Sequence, residues 1–213
     1  MKFKTIFLFV YLLGFYYFTL AQDTNQVKLP PPQKDIGKPL MQALNLRQSS
    51  RTFDSKPLPI QDISNLLWAA FGVNRTETNK RTAPSSRDWK DIDIYVFLAE
   101  GVYTYSANEH TLVPVSNEDL RGMTGVQDFV KTAPLNLVYV SDQSKMGKAS
   151  DEDKLITSGA DAGFIAQNVY LYCASQDLAV VVRASIDKKS LAQKLNLKPG
   201  QKIILAQTIG YKK

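Results

Sequence analysis

Arg47 and Arg51 stand four positions apart in the stretch NLRQSSRTF, with Gln48, Ser49 and Ser50 between them. Guanidinium forks match phosphate oxygens two bonds at a time and keep their charge at any relevant pH. Serine and glutamine add hydrogen bonds suited to a polyol chain or the edge of a heterocycle. The spacing fits an anion site, and taken alone it fits a solvated loop as well. A second stretch, RTAPSSRDWKDIDIYVF, starts at Arg81. Its Pro84, Ser85 and Ser86 make a rigid turn with hydroxyls and backbone donors on offer, leading into a strand at Ile92.

Other chemistries have less to stand on. The chain holds one histidine, His110, and one cysteine, Cys173. That pair cannot build a Cys/His metal cluster or an intrachain disulfide. Cys173 sits in NVYLYCAS among apolar neighbours, the setting of a packing thiol rather than a nucleophile. His110 could flank a serine, but no G-x-S-x-G elbow exists to present one. Asn74, Arg75 and Thr76 match the glycan acceptor pattern.

These residues need a scaffold. The segment PLMQALNLRQ predicts a helix with Pro39 at its start. IQDISNLLWAAFG predicts a stronger one, with Ile60, Ile63, Leu66, Leu67, Ala70 and Phe71 on one face and Gly72 as its C-terminal glycine. DIDIYVFLAEG reads as a strand with Ile92, Ile94 and Val96 on one face, and GVYTYSANEHTLVPV as a hairpin. NEDLRGMTGVQDFVKTA is a helical stretch broken by glycines, PLNLVYVS a strand, and SDQSKMGKASDEDK a charged loop. Residues 160–174 form a helix apolar nearly all round, interrupted by Asp161, Gln167 and Asn168. Such a helix belongs in a domain centre or at a subunit interface. LAVVVRASI is a buried strand, DKKSLAQKLNL a helix, and QKIILAQTIGY a last strand. Helices and strands mix without a βαβ rhythm, which gives an α+β fold.

Length and charge bound the rest. The 213 residues suffice for one domain, and 44% apolar with 22% charged residues is the mixture of a folded protein. The net charge of +6 is scattered, without the basic stripe of a nucleic-acid reader. Lys2 and Lys4 precede the apolar run IFLFVYLLGFYYF and the small residues Thr19 and Ala21. That is the layout of a secretory signal at residues 1–21, with Gln22 first after cleavage and no stable membrane insertion thereafter. An uncleaved anchor is the alternative reading. Export to a periplasm or the exterior is therefore expected. Residues 22–38, with three consecutive prolines, read as an extended linker, and residues 39–213 as the folded domain.

Arg81, Thr82, Pro84, Ser85, Ile94 and Tyr95, then Val102, Tyr103 and Tyr105, and the stretches SGADAGFIAQNVYLYCASQDLAVVVRASID and ILAQTIGYKK follow one another in an order that resembles the FMN-dependent nitroreductase superfamily. The likeness spans roughly residues 41–211 and looks nearest to the thiazoline and azoline dehydrogenase branch. It implies a mixed or antiparallel sheet flanked by helices, in an intertwined homodimer with two FMN sites at the interface. It implies that Arg47, Gln48, Ser49 and Arg51 hold phosphate and ribityl, and that Pro84, Ser85 and Ser86 reach the partner's flavin. It implies Gln127 at the pyrimidine edge, backbone groups of Arg183, Ala184 and Ser185 at the ring, and Lys212 near the phosphate. The activity implied is two-electron ping-pong transfer through flavin N5 with a small organic substrate. No side-chain acid or base is obligatory, so no catalytic residue follows. Arg87 stands where that branch carries glycine; it narrows the space over the flavin or pairs with Asp88. A non-enzymatic exported binding protein with a degraded flavin site is the alternative.

Overall fold

Ile92, Ile94 and Val96 alternate with Tyr95 and Phe97 along one strand, and all five are buried. A strand with both faces buried must lie inside a sheet covered on two sides. The computed structural model describes residues 26–213 and shows that arrangement. The signal segment expected at residues 1–21 lies outside the described residues.

The elements in chain order are β1 (Val27–Lys28), α1 (Leu40–Leu46), α2 (Ile60–Phe71), β2 (Val73–Arg75), β3 (Lys80–Arg81), β4 (Ile92–Leu98), β5 (Gly101–Ser106) and β6 (Thr111–Ser116). Then come β7 (Leu135–Asp142), α3 (Asp151–Ser175), β8 (Leu178–Arg183), α4 (Lys188–Lys194) and β9 (Gln201–Tyr211). Seven strands form one sheet in the order β1-β6-β5-β4-β7-β9-β8. Every pairing in it is antiparallel. This is the α+β sheet expected, with its antiparallel form settled. Ile92, Ile94, Val96, Leu137 and Tyr139 face α2 and α3 in the larger core. Tyr95, Phe97, Val138 and Val140 face α4 and a short 3-10 segment in the smaller one.

Three elements depart from the sequence reading. First, α3 runs Asp151–Ser175 rather than residues 160–174. The Ser150 side chain accepts from the Asp153 amide, and Asp151, Glu152 and Asp153 crowd the first turn. A cap and negative charge at the positive end of a helix extend it into what reads as a loop. Second, Gly72 ends α2 as expected, but it does so with extended backbone, φ −69° and ψ 163°. Glycine is required because a Cβ here would press on the Trp68 indole.

Third, the proline-rich segment is extended but docked. Val27 and Lys28 pair with Leu112 and Thr111 on β6. Leu29 is buried in the larger core. The Ser64 hydroxyl donates to the Pro30 carbonyl at 2.6 Å, and the Gln33 amide donates to Asn65 Oδ1 at 2.8 Å. His110 lies against both Ser64 Oγ, at 2.7 Å, and Pro30 O, at 3.1 Å, with Tyr105 on its other nitrogen. The single histidine is thus a clip for this segment, and its partners are hydroxyls and a carbonyl rather than a carboxylate. Leu29→Ala is therefore expected to destabilise the fold by about 2–3 kcal/mol. Urea unfolding of the chain starting at Gln22 checks this; a silent substitution would make the segment a free tether.

Candidate active site

Tyr170 of α3 gathers the first group of residues. Its hydroxyl accepts from the Val182 amide at 2.9 Å and lies 2.8 Å from the Ser49 hydroxyl. The Arg47 guanidinium sits 5.4 Å over the same ring. The Ser50 amide donates to the Val180 carbonyl, so residues 47–51 run along the open edge of β8. Arg47 is half-buried and Gln48, Ser49 and Arg51 are exposed. Neither arginine has a carboxylate partner among the described residues. The shelf continues through Phe53, which stacks on Phe129 at 5.3 Å and bridges to Lys212. Lys212 lies 3.6 Å from Asp177, which binds Lys38 more closely. Gln48, Asp177, Val180 and Lys212 share one small cavity.

At the far end of β8 the side chain of Arg183 turns inward. It donates to the Thr124 carbonyl at 2.8 Å, to Asn136 Oδ1 at 3.2 Å and to Thr208 Oγ1 at 2.8 Å. Burial draws its pKa down to about 10. With all three of its nitrogens bonded in the interior, this guanidinium is structural, and what it leaves to the surface is backbone. Ala184 and Ser185 are exposed beyond it, and the Ser185 carbonyl accepts from the Val126 amide. Gly125 has no room for a side chain, since a Cβ would collide with Arg183 and lie 2.9 Å from Gln127 Oε1. That Gln127 oxygen is closed off from solvent and accepts no hydrogen bond. A buried acceptor without a donor calls for a partner.

The turn at residues 84–86 is somewhere else. Ser85 Oγ donates to Asp161 Oδ2 at 3.0 Å, and the Ser86 amide donates to the same carboxylate at 3.1 Å. Asp161 lies nine positions before Tyr170 on α3, about 13.5 Å along the helix. Within one chain the turn and the arginine shelf therefore sit at separate levels of α3. Asp88 does not pair with Arg87: it takes Lys80 at 2.9 Å and Lys90 at 2.8 Å. The Arg87 guanidinium instead lies 5.4 Å over the Trp89 ring.

Sequence reasoning missed Asp91 and read Asp161 merely as a break in an apolar helix. Both are buried. Asp91 accepts from Ser141 Oγ at 2.7 Å, and Ser141 lies 2.8 Å from Ser158. Burial above all pushes Asp91 up to about 6; the Ser141 hydrogen bond opposes the rise and the facing Asp161 carboxyl adds to it. The signal was present: a carboxylate inside an apolar helix must find a partner, and Asp161 found the turn.

The Nitroreductase family matches residues 44–211. A solved nitroreductase-like protein from Ralstonia eutropha JMP134 is 45% identical, covering 88% of this chain and 90% of its own, with a TM-score of 0.84. A nitroreductase-like protein of Methanocaldococcus jannaschii is 28% identical over 187 residues, 83% of this chain and 92% of that one. The microcin synthetase complex McbBCD of E. coli shares the fold at 19% identity, covering 99% of this chain and 85% of that one, with a TM-score of 0.69.

The Asp91 carboxyl yields a pH prediction. Its pKa is raised in the folded state, so the folded chain binds an extra proton between the unfolded value near 4 and about 6. The stability this proton brings is complete below about pH 4 and lost as pH rises through about 6. Asp91→Asn mimics the protonated acid, donating toward Asp161 while still accepting from Ser141. The stability of this variant relative to the parent should grow by about 2 kcal/mol between pH 4 and pH 8. Urea unfolding at several pH values measures it, and a difference that stays constant with pH would assign the proton elsewhere.

Proposed function

Since the chain belongs to the Nitroreductase family, we propose that it is an exported FMN-dependent oxidoreductase of nitroreductase type that works as a homodimer on a small organic substrate. The observation that carries the flavin reading is the shelf at the β8 edge. Two arginines without carboxylate partners among the described residues stand at one end, and the Gln127 oxygen, also without a partner among them, stands at the other. A flavin mononucleotide is a molecule with a dianion at one end and a ring N–H flanked by carbonyls at the other. Arg47, Arg51 and Lys212 would take its phosphate, and Gln48 and Ser49 its ribityl hydroxyls. Gln127 would accept from the pyrimidine edge, with Ala184 and Ser185 offering backbone groups to the ring. When bound, FMN supplies two-electron chemistry at N5, accepting from one molecule and delivering to a second in the same cavity. The chain's own residues bind it, orient it and keep water from one face.

The homodimer reading rests on α3. Leu155, Ile156 and Phe164 are 62%, 64% and 47% exposed, and Gly159, Ala160 and Gly163 lie on the same stripe. A second copy is the natural cover for an apolar stripe of this kind. The turn at residues 84–86 is tied to Asp161, at a separate level of α3 from its own chain's shelf, which supports a reach to a neighbour's shelf. The likeness to the azoline dehydrogenase branch rests on the run from Arg81 to Tyr95 and the tyrosine hairpin. Export rests on the charged and apolar pattern of residues 1–21.

Two experiments test this. The double variant Arg47→Ala, Arg51→Ala should stay folded and lose FMN affinity by about a hundredfold or more, because each charge-assisted bond contributes about 1.5–3 kcal/mol. Flavin fluorescence titration reads it, and unchanged affinity would remove both arginines from the phosphate site. The second is a mixed dimer of that variant with one carrying bulky residues at Ser85 and Ser86. If the turn works across the interface, one of its two sites receives both lesions and the other neither, so about one FMN per dimer returns. Were the turn to serve its own chain, both sites would stay damaged and no flavin would bind.

A further inference from the structure

Between Ser85 and Lys90 the backbone turns left-handed at three non-glycine residues: Arg87 at φ 48°, Asp88 at φ 58° and Lys90 at φ 48°. Such conformations disfavour residues with a Cβ and persist only where the surroundings over-determine them. The surroundings here do so. The Asp88 amide donates to the Ser85 carbonyl and the Trp89 amide to the Ser86 carbonyl, both at 3.0 Å. The Lys90 amide donates to Ser85 Oγ at 2.8 Å, and Ser85 Oγ donates in turn to buried Asp161. Asp88 clamps Lys80 and Lys90 together.

This arrangement spends the carboxylate that binds the turn and the one that the turn carries. Asp161 is taken up by Ser85 and Ser86, and Asp88 by two lysines. Arg87 is left exposed, with the Trp89 ring behind it and no carboxylate partner among the described residues. The strained conformation leaves this side chain exposed, with the Trp89 ring as its neighbour. What the strain does achieve is to hold a free guanidinium fork, backed by an aromatic plane, on the turn beside the open stripe of α3.

We propose that Arg87 selects the substrate: a flat small molecule bearing a carboxylate, seated over the partner's flavin with its carboxylate on the Arg87 fork. The proposal rests on the flavin reading above and goes further, by naming an anionic substrate class. A planar fork pairs with a carboxylate through two parallel bonds, which a lysine in its place cannot do. The stacked Trp89 ring preorganises the fork, so little side-chain freedom remains to be lost on binding.

The test compares two nitro compounds of matched size and different charge, 4-nitrobenzoate and 4-nitrobenzamide. The FMN-loaded protein is reduced anaerobically with one equivalent of dithionite and mixed with each. Reduced flavin gives two electrons and two protons to the nitro group; one N–O bond breaks, the oxygen leaves as water, and nitroso compound and oxidised FMN remain. Free reduced FMN supplies the intrinsic ratio of the two rates. The protein should favour the carboxylate over that ratio by about tenfold or more, and Arg87→Gln, which keeps the bulk and removes the charge, should return to it. As a binding readout, redox-inert benzoate should perturb the oxidised flavin spectrum with a Kd about tenfold weaker in Arg87→Gln. Arg87→Lys should recover part of the preference. A yellow protein that shows the free-flavin ratio, or a preference that survives Arg87→Gln, overturns this proposal and leaves the flavin reading standing. A protein that takes up no FMN overturns that reading and this proposal with it.

Discussion

A single buried carboxylate on a long helix governs the geometry of this chain's chemistry. Asp161 is buried in α3 among mostly apolar inner-face residues, and a carboxylate in such a place must be satisfied or neutralised. It is satisfied by Ser85 and Ser86, which fixes a turn between two distant parts of the chain. It also faces Asp91, whose pKa is raised mainly by burial and further by this neighbouring carboxyl. Nine residues along the same helix, Tyr170 ties down β8 and the arginine segment. One rigid rod therefore sets both halves of the candidate site, and sets them apart.

That separation gives the open stripe of α3 its meaning. Sheet and helix pack well on the inner face, where Ala162, Ile165, Val169 and Cys173 are buried. The outer face shows Leu155, Ile156 and Phe164 to solvent. The proposed homodimer would cover this stripe and, in the same act, would bring the turn of one chain to the shelf of the other.

Charge in the site is arranged by consumption as much as by placement. Asp88, Asp161 and Asp177 each have cationic or N–H partners, whereas Arg47, Arg51 and Arg87 have none of opposite sign among the described residues. Arg183 shows the opposite use of the same residue type. Its fork is spent on Thr124, Asn136 and Thr208, and it holds the loop that carries Gly125 and Gln127. An arginine near a site is thus a ligand group or a strut according to what surrounds its fork.

The sequence by itself determined the elements that rest on period and local chemistry. Apolar spacing found α2, alternation found β4 and the β5–β6 hairpin, and Pro84 with two serines found the turn, because these signals are local. The ordered motifs also carried the family. Tertiary structure alone decided the rest. Whether Arg183 faces a ligand or the interior depends on Asn136 and Thr208, 47 and 25 residues away along the chain. Whether Asp88 holds Arg87 or releases it depends on Lys80 and Lys90 and on a left-handed backbone that no residue type there announces. Proline-rich residues read as a tether because composition reports stiffness and not docking; the pocket for Leu29 exists only once β6 and α2 are side by side. Period and propensity act over a few residues, while the partner of a buried charge is chosen across the whole fold.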